Sequence, residues 1–269
     1  MLLAIGIGNA RIQYGVYRED GLIATFSTAA DPARTSDEYA ASILGILALY
    51  GIQADSLHAA ILSSVVPPLT GVIDRAAEKI TGMPPMQVGP GVKTGLNIRI
   101  ENPAQLGSDL VASAVAGVAH YPKPLILIDS GIATTLSVLN ERGDFLGTVI
   151  VPGPRIALSA LSAHAANLPD ISLETPKALI GKNTVDSMQS GTIYGAAAML
   201  DGLIDRILRE QRFPPGTCAV MTGEFAGLFA PHCRHRLTVD PNLLLDGLHL
   251  LYLKNTQPPQ RGNHKEVHL

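Results

Sequence analysis

The chain has 269 residues, 20 of them Lys or Arg and 23 Asp or Glu, for a formal charge of −3, with 46% apolar residues. That size leaves room for one large or two medium lobes with a real core, and the apolar share belongs to a compact α/β protein rather than a disordered chain. The mixed charge excludes the basic footprint of a nucleic-acid binder, and the first apolar run, cut by Gly6, Gly8 and Asn9, is too short for a signal peptide or a membrane span; a cytoplasmic protein with no nucleic-acid or membrane partner is expected.

In chain order, residues 2–17 (LLAIGIGNARIQYGVY) read as an apolar strand, a glycine turn and a returning strand, with a third strand near 22–28. Thr35 and Glu38 have capping-box spacing, and Tyr39, Ile43, Leu44 and Leu47 supply the helical stripe that runs to Gly51. Residues 59–66, apolar apart from two serines and stopped by Pro67 and Pro68, have the profile of a buried parallel strand. A helix over about 69–81 and a short strand at 86–88 complete the first round. The loop 89–106, rich in Gly, Pro and Asn, leads into a helix that Ser108 is placed to cap, with Asp109 in its first turn and Leu110, Val111, Ala114, Val115 and Val118 on one face. Lys93 and Arg99 in that loop read as solvated surface.

The second round repeats the first. Residues 125–138 (LILIDSGIATTLSV) form the same strand, glycine turn and strand. A third strand at 145–151, helices at 155–166 and 185–211, a buried strand at 218–222 and a last helix at 243–253 follow. One difference separates the copies: Asp129 closes the first strand of the second hairpin, before Ser130 and Gly131, whereas Gly6 holds that place in the first, before Ile7 and Gly8. Two glycine turns at matching places predict two similar domains facing a cleft, 1–118 and 119–255, with a loose polar tail over 256–269. Such turns suit phosphate, because glycines let backbone N–H groups approach it while an acid and a hydroxyl hold Mg²⁺ and phosphate oxygens. Cys218 and Cys233 give no disulfide framework, and His232, Cys233 and His235 lack the spacing of a zinc site.

The loop GPGVKTGLNIRIENPAQLGSDL, the strand ILIDSGIATT, the stretch FLGTVIVPG, and then GKNTVDSMQSGTIYG and DPNLLLDGL closely resemble, in that order, the type III pantothenate kinases. The likeness runs from Met1 to about Asn255. It implies two ribonuclease-H-like domains of the actin and sugar-kinase superfamily, usually as a homodimer. It also implies transfer of the γ-phosphoryl of ATP to the hydroxyl of pantothenate, with Mg²⁺ and a monovalent cation (K⁺ or NH₄⁺), in the first step of coenzyme A synthesis.

Carried over by residue, the family's Asp-x-Gly-Asn-Thr motif for ATP phosphates and metal falls on Gly6, Ile7, Gly8, Asn9 and Ala10, without the acid or the hydroxyl. The Gly-Ala-Asp-Arg substrate motif falls on Gly107, Ser108, Asp109 and Leu110, so the catalytic base is kept and the arginine is replaced. The Asp-x-Gly-Thr turn falls on Asp129, Gly131 and Ile132: the cation ligand stays and the nucleotide-contacting threonine does not. The threonine that reaches pantothenate across the dimer interface is Thr184. Double glycines of the family become Gly147 with Thr148 and Gly223 with Glu224, where a larger side chain is expected to intrude on nucleotide space. Each retained residue also has a plainer role: Asp109 at a helix start, Asp129 ending a strand, Thr184 capping a helix.

Phosphoryl transfer is mostly positioning and charge stabilisation, and one lost contact of that kind costs about 3–4 kcal/mol. Three readings stay open at this point. The chain is a working kinase with an altered site; or it is weak or inactive alone and pairs as a heteromer with an intact paralogue, lending it Thr184; or it is a non-catalytic regulatory or ligand-binding protein on the kinase fold. The second accounts best for four replacements gathered in ATP, metal and substrate contacts.

Overall fold

Strand β1 (Leu2–Ile7) is buried along its whole length because it lies mid-sheet, antiparallel to β2 (Arg11–Arg18) on one side and parallel to β4 (Ala59–Ser64) on the other. In the computed structural model, which describes residues 1–256, this sheet has the order β3-β2-β1-β4-β5, with β3 at Gly21–Ala29 and β5 at Met86–Gln87. The second sheet repeats the order as β8-β7-β6-β9-β10. Its central β6 (Leu125–Ser130) is antiparallel to β7 (Ala133–Leu139) and parallel to β9 (Cys218–Thr222), with β8 (Phe145–Pro152) and β10 (Thr238–Val239) at the edges. Two five-stranded sheets of one topology make this an α/β fold of two ribonuclease-H-like halves, as the repeated hairpins foretold. The tail expected over 256–269 falls, from 257 onward, outside the described residues.

Helices α1 (Ser36–Leu49) and α2 (Pro67–Thr81) cover the outer face of the first sheet, packing on Leu3, Ile5, Tyr14 and Leu62. The capping box is present: Thr35 Oγ1 accepts from the Glu38 N–H and the Glu38 carboxylate accepts from the Thr35 N–H. Pro67 opens α2 rather than merely stopping β4, since the first helical residue has no N–H to satisfy. On the second sheet, α4 (Pro154–His164), α5 (Thr184–Gln211) and the short α6 (Ala226–Phe229) take the outer side, with Ile193, Leu200, Ile204 and Phe229 buried against Ile126 and Ile128.

Between the sheets lie α3 (Ser108–His120) and α7 (Leu243–Thr256). Ala112 and Val115 of α3 face the first sheet, while Ala114 and Ala116 face Leu125, Leu127 and Val220 of the second. Helix α7, the last among the described residues, returns to the first sheet and sets Leu245, Leu248 and Leu251 against Leu2, Ala4 and Ile61. The Tyr17 hydroxyl donates to Asp246 Oδ1 at 2.6 Å, and the Tyr17 ring stacks on His249 with centroids 4.3 Å apart.

Two expected caps are corrected. Gly107, not Ser108, stands at the α3 cap position and makes no side-chain cap; Ser108 is inside the helix, its Oγ 2.8 Å from Ser63 Oγ and accepting from the Ser64 N–H at 3.2 Å. The hydroxyl serves the end of β4 instead of its own helix. Likewise Asn183, not Thr184, caps α5, accepting from the Asp186 N–H at 2.9 Å. Among the described residues no helix is long and apolar enough to cross a membrane.

Urea denaturation checks the α7 docking. Tyr17→Phe, which leaves Asp246 without its donor, is expected to cost about 1–3 kcal/mol. Leu248→Ala, at a fully buried site, should cost about 2–5 kcal/mol. By contrast Leu44→Ala, on the exposed side of α1, should stay within about 0.5 kcal/mol of the parent.

Candidate active site

Because β1 and β4 are parallel, and β6 and β9 likewise, each sheet delivers two strand ends to one edge. The two edges face one another across a cleft of about 230 Å³. The β1–β2 turn, Gly8 to Ala10, forms one wall, closed by the Gly8 N–H donating to Arg11 O at 3.0 Å. The β6–β7 turn forms the other, with the Gly131 N–H donating to Ala133 O at 3.0 Å.

Register confirms that the two turns are counterparts. Gly6 lies two residues before Gly8 and pairs with Gln13 and Ser63; Asp129 lies two before Gly131 and pairs with Thr135 and Thr222. Gly6 therefore occupies in one wall the place that Asp129 occupies in the other. Of the expected site residues, Gly6, Gly8, Asn9, Ala10, Asp109, Leu110, Asp129, Gly131 and Ile132 line this cleft. Gly107 and Ser108 stand just behind it, the serine tied to β4.

Asp109 enters from the first turn of α3 and accepts from the Leu110 N–H at 2.8 Å. Burial pushes its carboxyl above the usual carboxylate range, against the pull of that bond. Burial also pushes Asp129 up, to about 6, and the negative charge of Asp109 adds to the effect. The two acids thus face a common space. Gly223, at φ +94°, wraps this end closely: a Cβ there would collide with Asp129 Oδ1 and with the Ser130 backbone. Thr135 Oγ1, across the strand pair from Asp129, is buried with no partner among the described residues.

Other side chains of the chain border the cleft. A Cβ on Gly6 would meet Leu244 Cδ2, from the start of α7, at 2.6 Å, so Leu244 lies where a side chain at position 6 would begin. At the mouth, Glu224 Oε1 accepts from Arg11 Nη2 at 3.2 Å and from Arg155 Nη2 at 2.8 Å. Leu244, Arg11 and Arg155 escape a reading of the sequence. Leu244 stands in the stretch DPNLLLDGL, but its contact with Gly6 joins opposite ends of the chain and leaves no local pattern.

Oxygen donors at Asp129 and the orphan Thr135 hydroxyl suit a hard cation. Positions 6, 10 and 132 supply neither acid nor hydroxyl for Mg²⁺ and nucleotide phosphates, and Leu244 lies beside Gly6; the acids and hydroxyls of the cleft come instead from Ser63, Asp109, Asp129, Thr135 and Thr222, with Glu224 at the mouth. No group of three or more His, Cys, Asp or Glu able to hold a metal occurs among the described residues.

Thr184 is not in this cleft. It is exposed at the start of α5, on the rim of a larger cavity of about 880 Å³ between α4 and α5, with Ser130 and Thr134 also in its lining. Around it Ile156, Leu161, Leu179, Ile180, Val185 and Met199 leave a broad apolar surface exposed.

A family model described as type III pantothenate kinase matches residues 2–206. A relative of that name from Geobacter sulfurreducens is 40% identical over 257 residues, covering 96% of this chain and 100% of its own. Another, from Rhodospirillum centenum, is 41% identical, covering 95% and 99%. Among solved structures, the activator of the 2-hydroxyisocaproyl-CoA dehydratase from Clostridium difficile, with bound ADPNP, aligns at TM-score 0.55 and 11% identity over 93% of each chain. A protein assigned as a 2-dehydro-3-deoxygalactonokinase from Sinorhizobium meliloti aligns at 0.60 and 12% identity, covering 98% of this chain and 99% of its own. These last two share the fold.

The raised Asp129 carboxyl sets a pH dependence. Its proton affinity is higher folded than unfolded, so its ionisation opposes folding, and stability falls as pH rises from the unfolded value near 4 through about 6. Asp129→Asn removes that penalty: the variant should match the parent below pH 4 and exceed it by up to about 3 kcal/mol above pH 7, as read by urea denaturation across pH.

Proposed function

The chain belongs to the type III pantothenate kinase family, and we propose that it serves pantothenate phosphorylation as a subunit that is weak or inactive alone and works with an intact paralogue. The observation that carries this reading is that Gly6, Ala10, Leu110 and Ile132, the replaced positions of the motifs, all line one cleft, with Leu244 Cδ2 beside Gly6. Phosphoryl transfer depends on held phosphates and metal, and the corner that should hold them offers Gly6, Ala10 and Ile132 beside a leucine. ATP, Mg²⁺ and the transfer step belong in this reading to the partner's cleft.

Thr184 supports the subunit role. It lies outside its own chain's cleft, amid exposed apolar side chains of the kind that mark protein contacts. On this reading that face meets the partner, Thr184 reaches the partner's pantothenate, and Asp129 keeps a K⁺ or NH₄⁺ ion. A homodimer through the same face is the form taken without a paralogue.

A second reading, a non-catalytic regulator or ligand-binding protein, draws on the retained Asp109. A buried carboxyl on the cleft wall suits a hydrogen bond with the hydroxyl of a bound ligand, which a scaffold alone would not need.

Purified chain assayed with ATP, Mg²⁺, K⁺ or NH₄⁺ and pantothenate should turn over at least about 10³-fold more slowly than the motif-complete relative. Robust turnover by the lone chain refutes the subunit reading. Co-expressed with an intact paralogue it should co-purify, and Thr184→Ala should then raise the complex's KM for pantothenate. Gly6→Asp alone should restore little, because Ala10, Leu110 and Ile132 still lack the motif's hydroxyls and arginine. Gly6→Asp combined with Leu244→Ala, Ala10→Thr and Leu110→Arg should raise the rate.

A further inference from the structure

The loop after β9 is held by backbone bonds, the Phe225 N–H donating to Ser130 O at 3.2 Å and the Ala226 N–H to Gly223 O at 3.3 Å, in which the Glu224 side chain takes no part. Glu224 follows Gly223 at the end of β9, lines the cleft, and sends its side chain to the mouth between the two sheets. There one carboxylate oxygen, Oε1, serves two guanidinium groups, Arg11 at the start of β2 and Arg155 in the first turn of α4. Two positive charges thus converge on a single negative one, from opposite walls. Arg155 does not depend on Glu224 for its place, because its guanidinium also lies over the Phe225 ring, 5.5 Å from the centroid. The Arg11 backbone is fixed by the strand it begins and by the adjoining glycine turn, while its guanidinium reaches Glu224 from a largely exposed side chain.

We propose that Arg11 and Arg155 form an anion site at the cleft mouth, that Glu224 is its resident occupant, and that a phosphate-bearing small molecule enters by displacing it. Both arginine side chains are more than half exposed, and ion pairs in that setting are weak and readily exchanged. A diphosphate carries more charge and more acceptor oxygens than one carboxylate, and guanidinium groups bind such oxygens in pairs. The exchange also releases the ion pair that ties the walls together across the mouth. This inference stands apart from turnover: it concerns binding at the mouth, whether or not the chain transfers a phosphoryl group.

The probe is inorganic pyrophosphate without metal, titrated calorimetrically into the purified chain. Glu224→Gln, which removes the competing charge while keeping the shape, should bind pyrophosphate about tenfold more tightly than the parent. Adding Arg11→Gln and Arg155→Gln to that variant should abolish the gain. Glu224→Asp keeps the charge but is a methylene too short to bridge both guanidinia, and should give a smaller gain; it decides the matter if Glu224→Gln melts early. Should neither variant bind better than the parent, or should the triple variant bind as tightly as Glu224→Gln, Glu224 is a structural clamp and the proposal falls. Failure of the catalytic reading would appear only in the turnover assay, not in these titrations.

Discussion

Parallel pairing at the centre of each sheet is the constraint from which the site follows. Parallel strands in one sheet point their carboxyl ends the same way, and in open α/β sheets ligands gather outside those ends. Two copies of the arrangement, set with their strand ends facing, leave a cleft that each sheet lines with a hairpin turn and a second strand end. The helices between the sheets then complete it, since α3 and α7 both begin at this edge: the first brings Asp109 and Leu110, the second Leu244. Four strands and two helix starts thus build one small space.

Charge is distributed unevenly within that space. Deep in the cleft two carboxyl groups share one lining, and burial raises the proton affinity of both. At the mouth two guanidinium groups share one carboxylate. An acid at position 6 would have added a third negative group to the interior; glycine with a leucine packed over it leaves that wall apolar instead. The departures from the family motif are therefore spatially coherent: Gly6, Ala10, Leu110 and Ile132 all face the same volume.

Much of this was legible in the sequence, because it rested on local pattern. The two hairpins, the Thr35–Glu38 capping box, the buried strand before Pro67 and the order of helices follow from periodicity and turn chemistry, and the family motifs led to residues that do line the cleft. What escaped depends on partners distant in the chain. Ser108 has a good capping side chain, yet the end of β4 offered it a better use. Thr184 follows an asparagine that took the cap first. The Gly6–Leu244 contact and the Arg11–Glu224 pair each join one sheet's residues to elements built from the other end of the chain, where no spacing rule reaches.

The return of α7 has a consequence for how the chain is made. A ribosome releases the first sheet long before it reaches Leu243, so the face formed by Leu2, Ala4, Tyr17 and Ile61 has no α7 to cover it while the whole second sheet is being synthesised. Until then α3 alone, through Ala112 and Val115, covers part of that face. Its completion waits for the last helix, and the interval is one in which an apolar sheet face stands open to chaperones or to aggregation.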